Sequence, residues 1–261
     1  MLKNRLIPVL LLKNGQLVRS ERFEVHQIIG DPVHEVARFN DWAVDELIYI
    51  DISVTDVIDG RQDMKVRPES SVLEILEAVA KRCFMPLTFG GRIRTFEDVH
   101  ARIARGADKV TIGTAAIETP HLITQASEAF GSQAVVVVVD ALRTEGGWEV
   151  VWDHARRRTG KTPASFAVEV EKLGAGEILL QAVDRDGTGE GYDVDLIRSV
   201  TSCTSIPVIA LGGVGRMDQI AACVTKGGAA AAAAANIFHF VELSDRQAKR
   251  AMQRAGISLR T

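Results

Sequence analysis

Short, almost continuous apolar runs recur at residues 6–12, 47–52, 86–89, 110–112, 134–139, 178–182, 207–211 and 229–235. Between them apolar residues return at helical spacing. Val72, Ile75, Leu76 and Val79 share one face of residues 71–82, and Val99, Ile103 and Ala104 share one of residues 95–105. Helix starts are marked by Thr95, with Glu97 and Asp98 in the first turn, and by Asp193 ahead of Leu196, Ile197 and Val200. Strands that are apolar throughout, not alternating, must be covered on both faces, as in a parallel sheet wrapped by helices. Eight such runs with helices between them predict an α/β chain folded as a (β/α)8 TIM barrel, one domain over residues 1–261.

Three segments exceed a minimal barrel. Residues 13–32 read as a long loop after strand one and residues 55–69 as another after strand two. Residues 144–158 contain Trp148-Glu-Val-Val-Trp152, which predicts a small hairpin after strand five. Long loops at the C-terminal ends of barrel strands carry the chemistry of such folds. The eighth run consists of seven alanines, a residue depleted in strands. Either they fit a crowded barrel wall, or they open room for a ligand beside Asn236.

Composition narrows the class. The 261 residues are 46% hydrophobic and 25% charged with a formal net charge of −3, which suits a soluble domain with a large core. No apolar run approaches the ~20 residues of a membrane span, and the first residues read as a buried strand, not as a secretory leader. Cys83, Cys203 and Cys223 show neither CxxC nor paired-histidine spacing, so no disulfide framework, metal site or cofactor is expected. They are read as buried thiols of a cytoplasmic protein. The longest basic cluster, Arg156-Arg157-Arg158, reads as a solvated loop and gives no support for nucleic-acid binding.

Candidate chemistry gathers at strand ends. Gly90 and Gly91 follow the run opened by Pro86, and Gly212 and Gly213 follow the run opened by Pro207, so the two halves of the chain repeat one device. Glycine lets backbone N–H groups approach an anion that a Cβ would fend off, and a barrel builds phosphate sites from consecutive loops. Gly113 and Thr114 would complete the first site with Arg92. Gly187, Ala235 and Asn236 would complete the second. Asp51, Asp140, Asp184 and Asp186 fall at strand ends, where partial desolvation makes a carboxylate a usable proton carrier. Asp140 is the leading catalytic candidate, and Asp186 is expected to orient a ligand hydroxyl or support the second turn. At the opposite ends Arg5, Glu46, Lys109 and Glu177 alternate in sign and would form a salt-bridged ring. No Ser/His/Asp or Cys/His nucleophile set stands out.

These residues resemble the cyclase subunit family of imidazole glycerol phosphate synthase, the HisF family of duplicated half-barrels. The matching stretches include Gly30-Asp-Pro32, Asp51-Ile52, Gly106-Ala-Asp-Lys109, Gly174-Ala-Gly-Glu-Ile-Leu-Leu180, Asp184-Arg-Asp-Gly-Thr188 and Phe238-His-Phe240, spread over essentially the whole chain. The resemblance implies a HisH-like glutaminase partner whose ammonia enters at Arg5, Glu46, Lys109 and Glu177, with Asp108 at the partner interface. It also implies a phosphorylated substrate at the top of the barrel. There the family's first catalytic aspartate is replaced by Leu11, and Val9, Gln181, Leu211, Gly113 and Arg92 also depart from its pattern. The bottom of the barrel matches and the top does not. This chain is therefore most similar to the divergent branch associated with sugar amidation in lipopolysaccharide and O-antigen synthesis. That branch implies a nucleotide-sugar acceptor and room for a third amidation protein. A genuine cyclase of histidine biosynthesis and a non-catalytic scaffold that activates the glutaminase remain as alternatives.

Overall fold

Eight parallel strands close on themselves in a computed structural model that describes residues 3–42, 44–55, 58, 71–240 and 244–259. In chain order the barrel strands are Arg5–Lys13, Leu47–Asp51, Leu87–Gly90, Lys109–Ile112, Val135–Thr144, Glu177–Ala182, Val208–Leu211 and Ala231–Ala234. Each pairs in parallel with its neighbour. The eighth pairs back onto the first (Ile7 opposite Ala233), and the fifth pairs with the sixth (Asp140 opposite Gln181). Helices follow the strands, among them Pro32–Asp41, Val72–Ala80, Phe96–Ile103, His121–Phe130, Pro163–Lys172, Val194–Thr201, Met217–Thr225 and Ser244–Arg254. The expected TIM barrel is thus observed.

Local chemistry explains the helix starts. The Thr95 hydroxyl accepts from the Asp98 N–H while the Asp98 carboxylate accepts from the Thr95 N–H, a reciprocal cap. Asp193 accepts from the Leu196 N–H, as its position suggested. In the helix Val72–Ala80, Ile75, Leu76 and Val79 are buried as the periodicity required. In Phe96–Ile103 the buried residues are Val99 and, against expectation, Arg102.

Three readings need correction. Residues 13–32 are not an open loop. Asn14 and Gly15 turn the chain at positive φ (52° and 79°), and a hairpin of Gln16–Glu21 and Val25–Gly30 rises from the first barrel strand. Strand five starts at Val135, Ala134 being in a short 3-10 turn, and runs past Asp140 to Thr144. Residues 140–144 pair antiparallel with Gly147–Trp152, so Asp140 lies within a strand, not at its end. The thiols are not uniformly buried: Cys223 is, Cys83 is half-buried and Cys203 is exposed. Apart from Thr55 and Ile58, the long segment expected at residues 55–69 lies outside the described residues.

Two apolar layers hold the fold. One lies between the sheet and the helices. The other fills the barrel, where Ile7, Val9, Ile48, Val136, Leu179, Ile209 and Leu211 meet Ala231 and Ala233. The alanine strand divides by its period of two: Ala231 and Ala233 face inward, Ala232 and Ala234 face the helix layer. Both inward alanines are fully buried against larger aliphatic neighbours, so they fit a filled wall. Ala233→Leu is therefore expected to overpack the interior and destabilise by about 1–3 kcal/mol in urea unfolding. Unchanged or increased stability would show spare volume at this level.

Candidate functional site

The glycine turns shape the C-terminal mouth of the barrel. Gly91 has φ of 88°, and a Cβ there would run into the backbone of Asp51. Gly213 has φ of 93°, and a Cβ there would strike the carbonyl of Gly191. Both turns thus need glycine for conformation and for close approach. The carbonyl of Gly91 accepts from Arg102 Nη2 at 2.9 Å, while Arg102 Nη1 donates to the Asp98 carbonyl at 2.9 Å. Arg102 is only 4% exposed, and burial pulls its pKa down. It braces the first turn from behind. Its polar identity at an apolar position of the helix was the one signal for it in the chain.

Among the described residues, one cavity at this end takes the first turn and another takes the second. The first, of about 470 Å³, is lined by Asp51, Gly91, Arg92, Gly113, Thr114, Asp140 and Gln181, with Leu11, Ile50 and Val138 as its apolar wall. The second, of about 240 Å³, is lined by Asp186, Gly187, Gly212, Gly213, Ala235 and Asn236, with Leu211. The structure therefore sorts the residues expected at the mouth into two groups, and the first joins Asp140 and Gln181 of the second half of the chain to the turn of the first half.

Asp140 faces the first cavity next to Gln181 on the neighbouring strand. Its Oδ1 is buried without a hydrogen-bond partner among the described residues. Burial, with a smaller push from Asp186, raises its pKa to about 7. Near neutral pH this carboxyl is poised between proton donor and acceptor. Asp51 differs. Its Oδ1 accepts from the Ser53 N–H at 3.0 Å and from the Ser53 hydroxyl, and Arg92 lies 3.9 Å from Oδ2. Burial raises its pKa, opposed by these bonds and by Arg92 and Arg102. Asp51 is thereby fixed as an anchor of the loop that follows it. Arg92 itself has φ of 55° and donates to the Thr55 carbonyl at 3.1 Å.

In the second cavity two residues serve the hairpin as well as the lining. Ser20 donates to Asp186 Oδ2 at 2.8 Å, and the Phe23 N–H reaches the same oxygen at 3.4 Å. Asn236 Nδ2 donates to the Ser20 carbonyl at 2.8 Å. Asp186, whose pKa burial raises, and Asn236 thus clamp the hairpin across the mouth; sequence reading gives Asn236 to a ligand and Asp186 to a ligand hydroxyl or to support of the second turn, and it misses Ser20. Asp184 accepts from the Arg143 N–H at 3.3 Å and ties down the strand-five hairpin.

At the opposite end the ring is closed. Arg5 Nη1 meets Glu46 at 2.7 Å and Glu177 at 3.0 Å; Lys109 Nζ meets Glu46 at 3.1 Å and Glu177 at 3.0 Å. Burial works against the Arg5 charge, but Glu177 and Glu46 outweigh it and hold its pKa up. The side chains are between 6% and 16% exposed, so each charge depends on its partners. Asp108 beside them is exposed and accepts from the Leu87 N–H at 2.8 Å.

The family model described as histidine biosynthesis protein matches residues 5–244. No helix among the described residues is long and apolar enough to cross a membrane.

Asp140 also leaves a thermodynamic trace. Its folded pKa of about 7 lies above an ordinary carboxyl value of 3.8, so between these values the folded state holds a proton that the unfolded state has released. Its contribution to stability is complete below about pH 4 and is lost as the pH rises to about 7. Asp140→Asn is expected to remove this loss. Urea midpoints should then show a variant more stable than the parent at pH 8 and similar to it at pH 4; an equal offset at both would contradict the assignment.

Proposed function

The chain belongs to the histidine biosynthesis protein family of barrel enzymes, and on that premise we propose that it is an ammonia-transferring synthase subunit. In this reading a HisH-like glutaminase docks on the N-terminal face of the barrel and releases ammonia at the ring of Arg5, Glu46, Lys109 and Glu177. Ammonia then crosses the barrel as neutral NH3 and meets a phosphorylated or nucleotide-sugar acceptor at the glycine turns. The product would be an amidated sugar for lipopolysaccharide or O-antigen synthesis, with or without a third protein.

The observation that carries this reading is the position of the ring. Its four charges close the barrel floor directly below an apolar interior of Ile7, Ile48, Val136, Leu179 and Ile209. Such an interior penalises NH4+ far more than NH3. A ring of paired charges at its foot is a place where a proton can be left behind. The same face offers a docking surface, since Phe84, at the approach to barrel strand three, is 86% exposed and Asp108 is exposed beside the ring.

At the mouth, Asp140 and Leu11 line one cavity, so it holds one poised carboxyl and an apolar residue where the HisF pattern has a second acid. Amide formation needs one base to take a proton from the incoming nitrogen, and Asp140 can serve. The retained Asp140 also favours a second reading, a histidine-pathway cyclase. Purified chain with ammonium salt separates the two: turnover of a nucleotide-linked uronic acid supplied as an acyl phosphate, from which phosphate departs as NH3 adds, supports amidation, and formation of imidazole glycerol phosphate supports the cyclase. Turnover of neither acceptor, with glutaminase still stimulated by the chain, would point to a scaffold.

The ring makes its own prediction. Lys109→Ala leaves Glu46 and Glu177 paired to Arg5, so the fold should persist while the ring opens on one side. We expect glutamine-dependent product to fall about tenfold or more relative to glutamine hydrolysed, with activity on external ammonium salt unchanged. A full coupling ratio in the variant would remove the ring from ammonia transfer.

A further inference from the structure

The rim of the first cavity carries basic groups that nothing in the ammonia reading uses. Lys13 Nζ lies 3.3 Å from His26 Nδ1, joining the end of barrel strand one to the hairpin strand Val25–Gly30. Lysine has only hydrogens to offer, so Nδ1 accepts and the imidazole carries its hydrogen on Nε2. His26 lines the cavity together with His154 and Arg156 from the tip of the strand-five excursion. Among the described residues, none of Lys13, His26, His154 and Arg156 is paired with a carboxylate. By contrast, Arg94 at the same cavity is tied to Glu118 at 2.8 Å.

The backbone that presents His154 is unusual. Asp153, His154 and Ala155 take positive φ in succession, at 52°, 57° and 61°. A run of left-handed non-glycine residues is costly and persists where surrounding contacts impose it, which is common at functional sites. The tip is held by the Arg156 N–H donating to the Asp153 carbonyl at 3.2 Å, and the Asp153 carboxylate is drawn to Arg157 at 3.5 Å. The one carboxylate on the tip is therefore partly neutralised. Deeper in the cavity, burial raises the pKa of Asp140 to about 7, so this acid is only partly charged near neutrality, and Arg92 lies 3.9 Å from the Asp51 carboxylate.

We propose that Lys13, His26, His154 and Arg156 form a third anion subsite, at the rim of the first cavity and separate from the two glycine turns. It would take a carboxylate or phosphate group of the substrate. As a statement about the ammonia acceptor this rests on the proposed function, but the subsite itself is tested without glutaminase or ammonia. His26, His154 and Arg156 at a concave mouth, with Lys13 bonded to His26 and no carboxylate paired to any of the four among the described residues, concentrate positive potential there and draw an anion to it. A ligand reaching from Gly91 to this rim needs a negative group at its outer end in addition to any held at the turn.

His26 makes the subsite readable. Burial, then Lys13 and His154, lower its pKa, with a weaker opposing effect from its bond to the Glu24 backbone. A bound anion favours imidazolium and should raise that pKa. The imidazole NMR signals of the full chain would be followed during titration with inorganic phosphate and, separately, malonate, at pH 6 and pH 8. His26→Gln and His154→Asn assign the signals, and His34 and His121 serve as internal controls. Both rim signals should shift saturably, more tightly at pH 6, and Arg156→Gln should weaken the effect about threefold or more. A response to phosphate alone, or to malonate alone, supports the subsite and names its ligand group. Absence of saturation by either anion overturns the proposal. Phosphate binding detected by calorimetry with both rim imidazoles unmoved overturns it as well and assigns that binding to the turns.

Discussion

Closing eight strands into a barrel points alternate residues of every strand into an enclosed interior, and that constraint governs where polarity is placed in this chain. A group facing inward has little water to pair with, so it must be apolar, find a partner, or change its protonation. The inward positions of this barrel take all three courses. Ile7, Val9, Ile48, Val136 and Leu179 fill the middle. Arg5, Glu46, Lys109 and Glu177 are charged at the floor and satisfy one another in a closed circuit. Asp140, at the top and without a partner for Oδ1 among the described residues, keeps its proton to unusually high pH.

The two glycine turns solve one geometric problem with different supports. Each brings backbone close to a neighbouring loop, and each leaves a carbonyl that must be satisfied. In the first half a buried guanidinium, Arg102, binds the Gly91 carbonyl from the helix behind. In the second the Gly191 N–H donates to the Gly213 carbonyl at 2.6 Å, so backbone replaces side chain. The consequence extends to the loops. The first cavity is bordered by Arg92 and by Ser20, Phe23 and His26 of the hairpin, while the smaller second one meets that hairpin at Arg19, beside the Asp186 and Asn236 that hold it down. A repeated motif has thus become two unequal sites.

Much of this was legible in the sequence because barrel strands and amphipathic helices obey fixed periods. The eight apolar runs located the strands to within a few residues, and the alternating charges before strands one, two, four and six located the ring. What escaped was set by partners distant in sequence. Arg102 is a charge at an apolar position of its helix, and what it serves there is legible only once the Gly91 carbonyl is seen beside it. Ser20 carries no local signal, and its role depends on residues 166 and 216 positions away. The extension of strand five through Asp140 depended on antiparallel pairing with Gly147–Trp152, which an apolar run ending at Val139 does not reveal. The hairpin over residues 13–32 was missed for a related reason: exposed Val25 and Ile28 on its outer strand break the alternation that marks a half-buried strand.

The proton count at the mouth bears on the chemistry proposed for it. Forming an aromatic ring by condensation with loss of water calls for a group that donates a proton to the departing oxygen and a second that removes one from carbon or nitrogen. Addition of NH3 to an activated acyl carbon releases one surplus proton from nitrogen, and one base on the correct side suffices. The first cavity supplies Asp140, whose pKa of about 7 matches a base working near neutrality, and Leu11 contributes only an apolar surface to the same space. Asp51 is no substitute for the second group, because Oδ1 is already committed to Ser53 and Oδ2 lies toward Arg92. Among the described residues, Asp140 is the carboxyl of the first cavity whose pKa is carried to about 7, and a single poised base of this kind fits the proposed amide formation better than ring closure.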